Sequence, residues 1–102
     1  HGQIGHLPKT AVVETNAVFY QGTIQPVFAG NMSEEIVKLI TPHVENHQKV
    51  LKAALHPDFE LLFEAFMNDP LVKGRITEND GRKLLKEMIK NTEKYLPDGW
   101  KA

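Results

Sequence analysis

Few side chains stand at spacings that chemistry needs. His43 and His47 are four residues apart, so on a helix both imidazoles would face one side and could reach a single metal ion. The nearby acid is wrongly placed for a zinc-protease motif. There the glutamate directly follows the first histidine, whereas Glu45 stands two positions on, roughly 200° around a helix. No third ligand follows in the pattern, so His47 reads as the edge of an apolar stripe and His43 as a solvated side chain. Glu14 is the second candidate, because it follows Val12 and Val13 in a strand-like stretch, where an acid needs a partner or an aqueous cleft. The remaining glutamates fall on expected helix faces, where pairs such as Glu45 with Lys49 tune stability by a few tenths of a kcal/mol, in rough terms. Phe59, Phe63 and Phe66 recur at helical spacing and read as core rather than a ligand cage. Gly2 and Gly5 would let backbone approach a ligand, but Gly-x-x-Gly is too short for a phosphate loop. No Ser-His-Asp arrangement can be assembled, and with no cysteine there is no disulfide, thiolate metal site or cysteine nucleophile.

The bulk composition narrows the partners. The 102 residues carry 12 Lys+Arg against 13 Asp+Glu, a formal net charge of -1, so no global field attracts nucleic acid or an acidic membrane. Arg82, Lys83, Lys86, Lys90 and Lys94 make one segment basic, but Glu87 and Glu93 interleave and no aromatic stacking platform accompanies them, so no nucleic-acid partner is expected. No apolar run approaches the ~20 residues of a membrane span, and no basic-then-apolar leader opens the chain. The expectation is a cytoplasmic chain without a membrane partner. It opens on His1, and HGQIGHLPKT reads as a loop already under way, which suggests a piece of a larger protein.

Two kinds of element must position these residues. From Thr10 to Ala29 the chain is rich in Val, Thr, Phe, Tyr and Ile, which suit a pleated surface. Gln21-Gly22 sits between two candidate strands, so an antiparallel hairpin is expected. On its first strand Val13, Thr15, Ala17 and Phe19 share one face, while Val12, Glu14, Asn16, Val18 and Tyr20 share the other, mixed face. Pro26 cannot donate to a ladder and marks the second strand as an edge or a bulge. After Gly30 the period changes. Asn31 or Ser33 can cap a helix whose first turn holds Glu34 and Glu35. Ile36, Ile40, Val44, His47, Leu51 and Ala54 lay a stripe along it as core or interface, to about Leu55, and Pro42 predicts a kink or break. His56-Pro57-Asp58 restarts a helix with proline in its first position, and Asn68-Asp69-Pro70 stops it. Thr77-Glu78-Asn79-Asp80 resembles a capping box and opens a last helix, from about Glu78 to Tyr95, that Pro97-Asp98-Gly99 ends. The fold class is therefore α+β in a single domain over 1–102: an opening loop over 1–9, a β-hairpin over 10–30, and three or four helices over 33–97.

Several short words, in order, carry the chain further. Gly2, Ile4, Leu7 and Pro8 spell G-x-I-x-x-L-P and lead into Ala11-Val12-Val13-Glu14; Ile24-Gln25-Pro26, Ala29-Gly30, Ala53-Ala54-Leu55, Asn68-Asp69-Pro70-Leu71 and Tyr95-Leu96-Pro97 follow. In these words the chain resembles the C-terminal part of glycoside hydrolase family 4, and Thr15-Asn16-Ala17-Val18-Phe19 is similar to the branch acting on unphosphorylated α-glycosides, the α-galactosidases, α-galacturonidases and α-glucosidases. The resemblance implies part of a lactate/malate dehydrogenase-like C-terminal domain and a homo-oligomer, dimer or tetramer. It also implies hydrolysis of an α-glycoside by oxidation, elimination, addition and reduction, with NAD and manganese as cofactors in the parent enzyme. The nucleotide-binding fold, the metal-binding cysteine and histidine, and the tyrosine base belong to family positions upstream, so no catalytic or metal role passes to His43, His47, His56 or Tyr20. No cofactor is expected to bind this chain alone. What transfers is proximity to the sugar for the opening loop, Gly2 to Leu7, with Gly2, Gln3, Ile4, Glu14 and Asn16 as the substrate-proximal residues and His1 where relatives often have arginine. The alternative is a free-standing helical interaction module whose groove is the Ile36 to Leu51 stripe.

Overall fold

The computed structural model describes residues 2–100, so His1 lies outside the described residues. The architecture is α+β, with four short strands followed by three helices and two 3-10 turns. The chain separates into two compact units with the boundary between Val44 and Glu45, inside the first helix.

The first unit holds two small ladders. Strand β1 (Ile4–Gly5) runs parallel to β4 (Gly30–Asn31), and β2 (Ala17–Tyr20) pairs antiparallel with β3 (Thr23–Pro26) from Ala17↔Pro26 to Tyr20↔Thr23. The hairpin turn is the expected one. Gln21 and Gly22 both take positive φ, 43° and 77°, the mirror-type turn whose twist matches that of the strands. Pro26 closes β3, where its missing N–H costs least.

The first strand is shorter than the composition suggests. Residues 11–16 join no ladder, yet their burial still alternates: Ala11, Val13 and Thr15 are half-buried while Val12, Glu14 and Asn16 are exposed. The segment keeps an extended rhythm outside any ladder. The alternation holds to Ala17 and then fails, since Phe19, placed on the apolar face, is 75% exposed. Tyr20, Ile24 and Phe28 are also more than half exposed, and Val44 is the one buried hydrophobic residue in this unit among the described residues. A two-stranded hairpin is marginal alone.

Helix α1 (Glu34–Leu55) starts where the capping signals place it, with Glu34 and Glu35 in its first turn. Hydrogen bonding to the backbone and to Ser33 holds the Glu35 carboxyl below the usual carboxylate range. The expected break at Pro42 does not occur. Helix propagation adds a bond for every residue fixed, so one missing N–H inside 22 residues is tolerated, and the Thr41 hydroxyl donates to the Val37 carbonyl (2.8 Å) beside the gap. The apolar stripe, expected as core or interface, is for the most part not core among the described residues. Of its members only Val44 is buried; Ile40 is half-buried, and Ile36, His47, Leu51 and Ala54 are exposed. In the second unit the covered side of α1 carries Asn46, Lys49 and Ala53 instead. Lys49 reaches across from that side to Glu64, taking the place of the anticipated Glu45 pair.

Helix α2 (Phe59–Asn68) begins two residues later than proline placement predicts. Asp58 is the N-cap, its Oδ1 accepting the Leu61 N–H at 3.0 Å, so Pro57 stands outside the helix. Helix α3 (Glu78–Thr92) is capped by Thr77, whose Oγ1 accepts the Asp80 N–H. Its hydroxyl also donates to Asp80 Oδ2, because aspartate is too short to reach back to the cap backbone as glutamate does. The expected run to Tyr95 tightens into a 3-10 turn over Glu93–Tyr95, and a second such turn spans Asp98–Trp100.

The core of this unit lies where α2 meets α3. Phe63, Ala65 and Leu85 are buried there. Phe59 and Phe63 stack with centroids 6.2 Å apart, and the Arg82 guanidinium lies 4.2 Å over Phe63. Arg82 forks onto both carboxylate oxygens of Glu60 at 2.6 and 3.0 Å. A Cβ on Gly81 would sit 2.5 Å from Met67 Sδ, which is why the backbone of α3 comes close to α2 at a glycine.

Leu85→Ala is expected to lower the free energy of unfolding by about 2–4 kcal/mol, and Leu84→Ala, one residue along and 45% exposed, by less than about 1 kcal/mol. Denaturant titration followed by circular dichroism measures both, and equal losses would contradict this core. Hydrogen bonding to Arg82 holds the Glu60 carboxyl below 4.5. A lowered folded-state value stabilises above the unfolded value and is lost as pH falls through the folded one. Glu60→Gln should therefore flatten the decline in stability below about pH 4.5 by a small amount, as befits an exposed pair; an unchanged acid limb would show that the fork contributes nothing.

Candidate functional site

The opening loop and the base of the hairpin meet on one short segment. The Ala29 N–H donates to the Gln3 carbonyl at 2.7 Å, and the Val27 N–H donates to the Asn16 carbonyl at 2.8 Å. Residues 27–29 thus join Gln3 to Asn16, two of the five residues the sequence singled out. Ile4 pairs with Gly30 in the parallel ladder, and Gly2 adopts φ 78°, a left-handed turn that glycine takes without strain. Close packing fixes Gly5 as well, since a Cβ there would fall on the Asn31 side-chain amide.

Glu14 is not drawn into this group. It is exposed, and the strand that was to hold it after Val12 and Val13 does not form, because residues 11–16 have no ladder partner among the described residues. Asn16 is exposed, while Gly2, Gln3 and Ile4 are half-buried.

One residue of the loop has a backbone conformation that the sequence does not signal. His6 has φ 70°, uncommon for a residue with a side chain, and its Nδ1 lies 3.2 Å from the Met32 carbonyl. A carbonyl only accepts, so Nδ1 is the donor of this contact. Neither spacing nor composition signals a positive φ at histidine. The loop contains no carboxylate pair for acid and base work.

Neither implied cofactor fits the residues present. His43 and His47 are both exposed, and among the described residues no three His, Asp or Glu side chains group closely enough to hold a metal ion. The Gly2 to Gly5 segment leads into a strand rather than a helix N-terminus, so it forms no dinucleotide cradle. No helix among the described residues is long and apolar enough to cross a membrane.

Comparison with known proteins gives the family. Residues 1–72 match the profile of the family 4 glycosyl hydrolase C-terminal domain. Alpha-galacturonidases of Thermoanaerobacterium saccharolyticum and Lachnoclostridium phytofermentans are 50% and 48% identical over 99% and 96% of this chain. The chain spans about 21% of the length of either relative. The crystal structure of the glucosidase-named lplD protein of Bacillus subtilis superposes with a TM-score of 0.79 at 38% identity, over 85% of this chain and 20% of that one. The words from Gly2-x-Ile4 to Tyr95-Leu96-Pro97, the fold and the relatives agree, and the chain belongs to the family 4 glycosyl hydrolases, as a C-terminal domain.

Proposed function

We propose that these residues form the C-terminal part of an α-galacturonidase that hydrolyses α-linked galacturonosides. The observation that carries this reading is the gradient of identity. Relatives named alpha-galacturonidase are 38% to 50% identical to the chain, whereas the alpha-galactosidase of Bacillus subtilis is 27% identical. Within that enzyme NAD and manganese are held by residues outside these 102, and they supply the redox and charge-stabilising chemistry at the sugar ring.

This chain's share is positioning. The Gln3 and Asn16 region, with His6, walls one side of the sugar site and offers amides and an imidazole to sugar hydroxyls. The extended but unpaired residues 11–16 and the exposed hairpin complete a sheet whose other strands lie elsewhere in the enzyme. The helices serve a homo-oligomer contact, through the apolar side of α1 that Leu51 and Leu55, one turn apart, leave uncovered. Alone, the chain is inert. A cytoplasmic setting accords with a free dinucleotide and a cysteine-free chain.

The same uncovered side of α1 favours a second reading, a helical interaction module without activity. Assay of the complete polypeptide that carries these residues separates the two. With NAD and Mn²⁺ present, a chromogenic α-galacturonide should be turned over at least about tenfold faster than the matching α-galactoside. Absence of any hydrolysis would leave the interaction module, and preference for the neutral sugar would refute the uronide assignment. Gln3→Ala is expected to reduce kcat/KM by about tenfold, one lost hydrogen bond, mostly through KM. The 102-residue chain by itself should show no turnover and should self-associate in sedimentation runs at high concentration; a monomer there would argue against the uncovered contact surface.

A further inference from the structure

The second unit contains a cleft that the reading above does not use. It has a volume of about 760 Å³, within the range of small-molecule sites, and lies among Pro57, Phe59, one side of α3 and the last 3-10 turn. Gly99 makes it possible. A Cβ there would come within 2.4 Å of the rigid Pro57 ring, so only glycine lets the turn close against proline and bring Trp100 to the lining. The Trp100 N–H donates to the Pro97 carbonyl at 3.0 Å and fixes the turn.

The lining divides by chemistry. Trp100, Pro57 and Phe59 supply flat apolar surface. Lys86 and Lys90 also line the cleft, one helical turn apart on α3, and of the two Lys86 is within electrostatic reach of the Glu60 carboxylate. Lys86 also lies 5.7 Å from the Phe59 centroid, and neither ammonium group is ion-paired among the described residues. Asn91 adds an amide that both donates and accepts, and Glu87 at the lining is one carboxylate against two ammonium groups.

We infer that this cleft is a second, non-catalytic binding site for an acidic monosaccharide. Its C–H face would lie on the apolar wall, its carboxylate on Lys90 and Lys86, and its hydroxyls on Asn91. The choice of a sugar acid over other anions rests on the galacturonoside reading above; the flat wall, the cations and the amide come from the cleft itself. Such a site would retain product or a polymeric substrate beside the enzyme.

The test uses the complete polypeptide labelled with 5-fluorotryptophan, its Trp100 resonance assigned through Trp100→Phe. Free galacturonic acid should shift that resonance with a dissociation constant in roughly the millimolar range. Galactose should bind about tenfold more weakly, inorganic phosphate should leave the signal unmoved, and Lys90→Gln, an exposed change, should weaken the acid about tenfold. No shift with galacturonate, an equal shift with phosphate, or an unaffected Lys90→Gln would each overturn the site. Binding of the free acid needs no turnover, so a polypeptide that hydrolyses uronides without moving Trp100 refutes the cleft alone. One that moves Trp100 but hydrolyses only neutral galactosides refutes the catalytic reading alone.

Discussion

The stack of Glu60, Arg82 and Phe63 ties together the part of the chain that has a core. The guanidinium is planar, so it can lie flat on one phenyl ring while its edge forks onto a carboxylate. That double engagement joins one face of α2 to one face of α3, and the close approach at Gly81 follows from the same contact. Leu85, one turn along α3 from Arg82, is buried with Phe63 and Ala65 as a consequence. An exposed ion pair on its own adds little to stability. Here the charge pair sets direction, and the aromatic pair beneath it supplies apolar area. The cleft by Trp100 inherits its walls from this arrangement, because the side of α3 that carries Lys86 and Lys90 is set by the helix rotation that Arg82 establishes.

The first unit stands under the opposite constraint. It has hydrogen bonds but little to bury. Two short ladders, a left-handed turn at Gly2 and the contacts of residues 27–29 define its backbone, while Phe19, Tyr20, Ile24 and Phe28 stay mostly in solvent. Large exposed apolar groups on a two-stranded hairpin are costly in water. They make physical sense as the inner face of a larger assembly, and the chain spans only about 21% of the length of its relatives. The same reasoning accounts for residues 11–16, extended in rhythm and without a ladder.

Local signals were legible in the sequence wherever one residue decides one backbone feature. The hairpin turn at Gln21-Gly22, the start of α1 after Ser33, the stop at Asn68-Asp69-Pro70 and the cap at Thr77 depend on φ preferences and on side chains that bond their own neighbours. The family words belong to this level too, since they are strings of such local requirements. Of the candidate site, Gln3 and Asn16 could be named in advance, but their meeting on residues 27–29 could not. The conformation of His6 was not legible because a positive φ at histidine is imposed by the loop rather than by the residue.

Which face of a helix is covered belongs to tertiary structure. The α1 stripe from Ile36 to Ala54 has an apolar rhythm, which sequence alone assigns to core or interface without deciding between them. The fold covers Asn46, Lys49 and Ala53 instead, because burial depends on which surfaces are available to pack, and in these residues that side has the neighbours. Pro42 shows the same division, a breaker by local rule that the surrounding helix absorbs. The sequence by itself determined the turns, the caps, the α+β class and the family. Only the tertiary structure decided what is inside, where Glu14 lies, and that Gly99 lets Trp100 close a cleft, because each depends on distances between residues far apart in the chain.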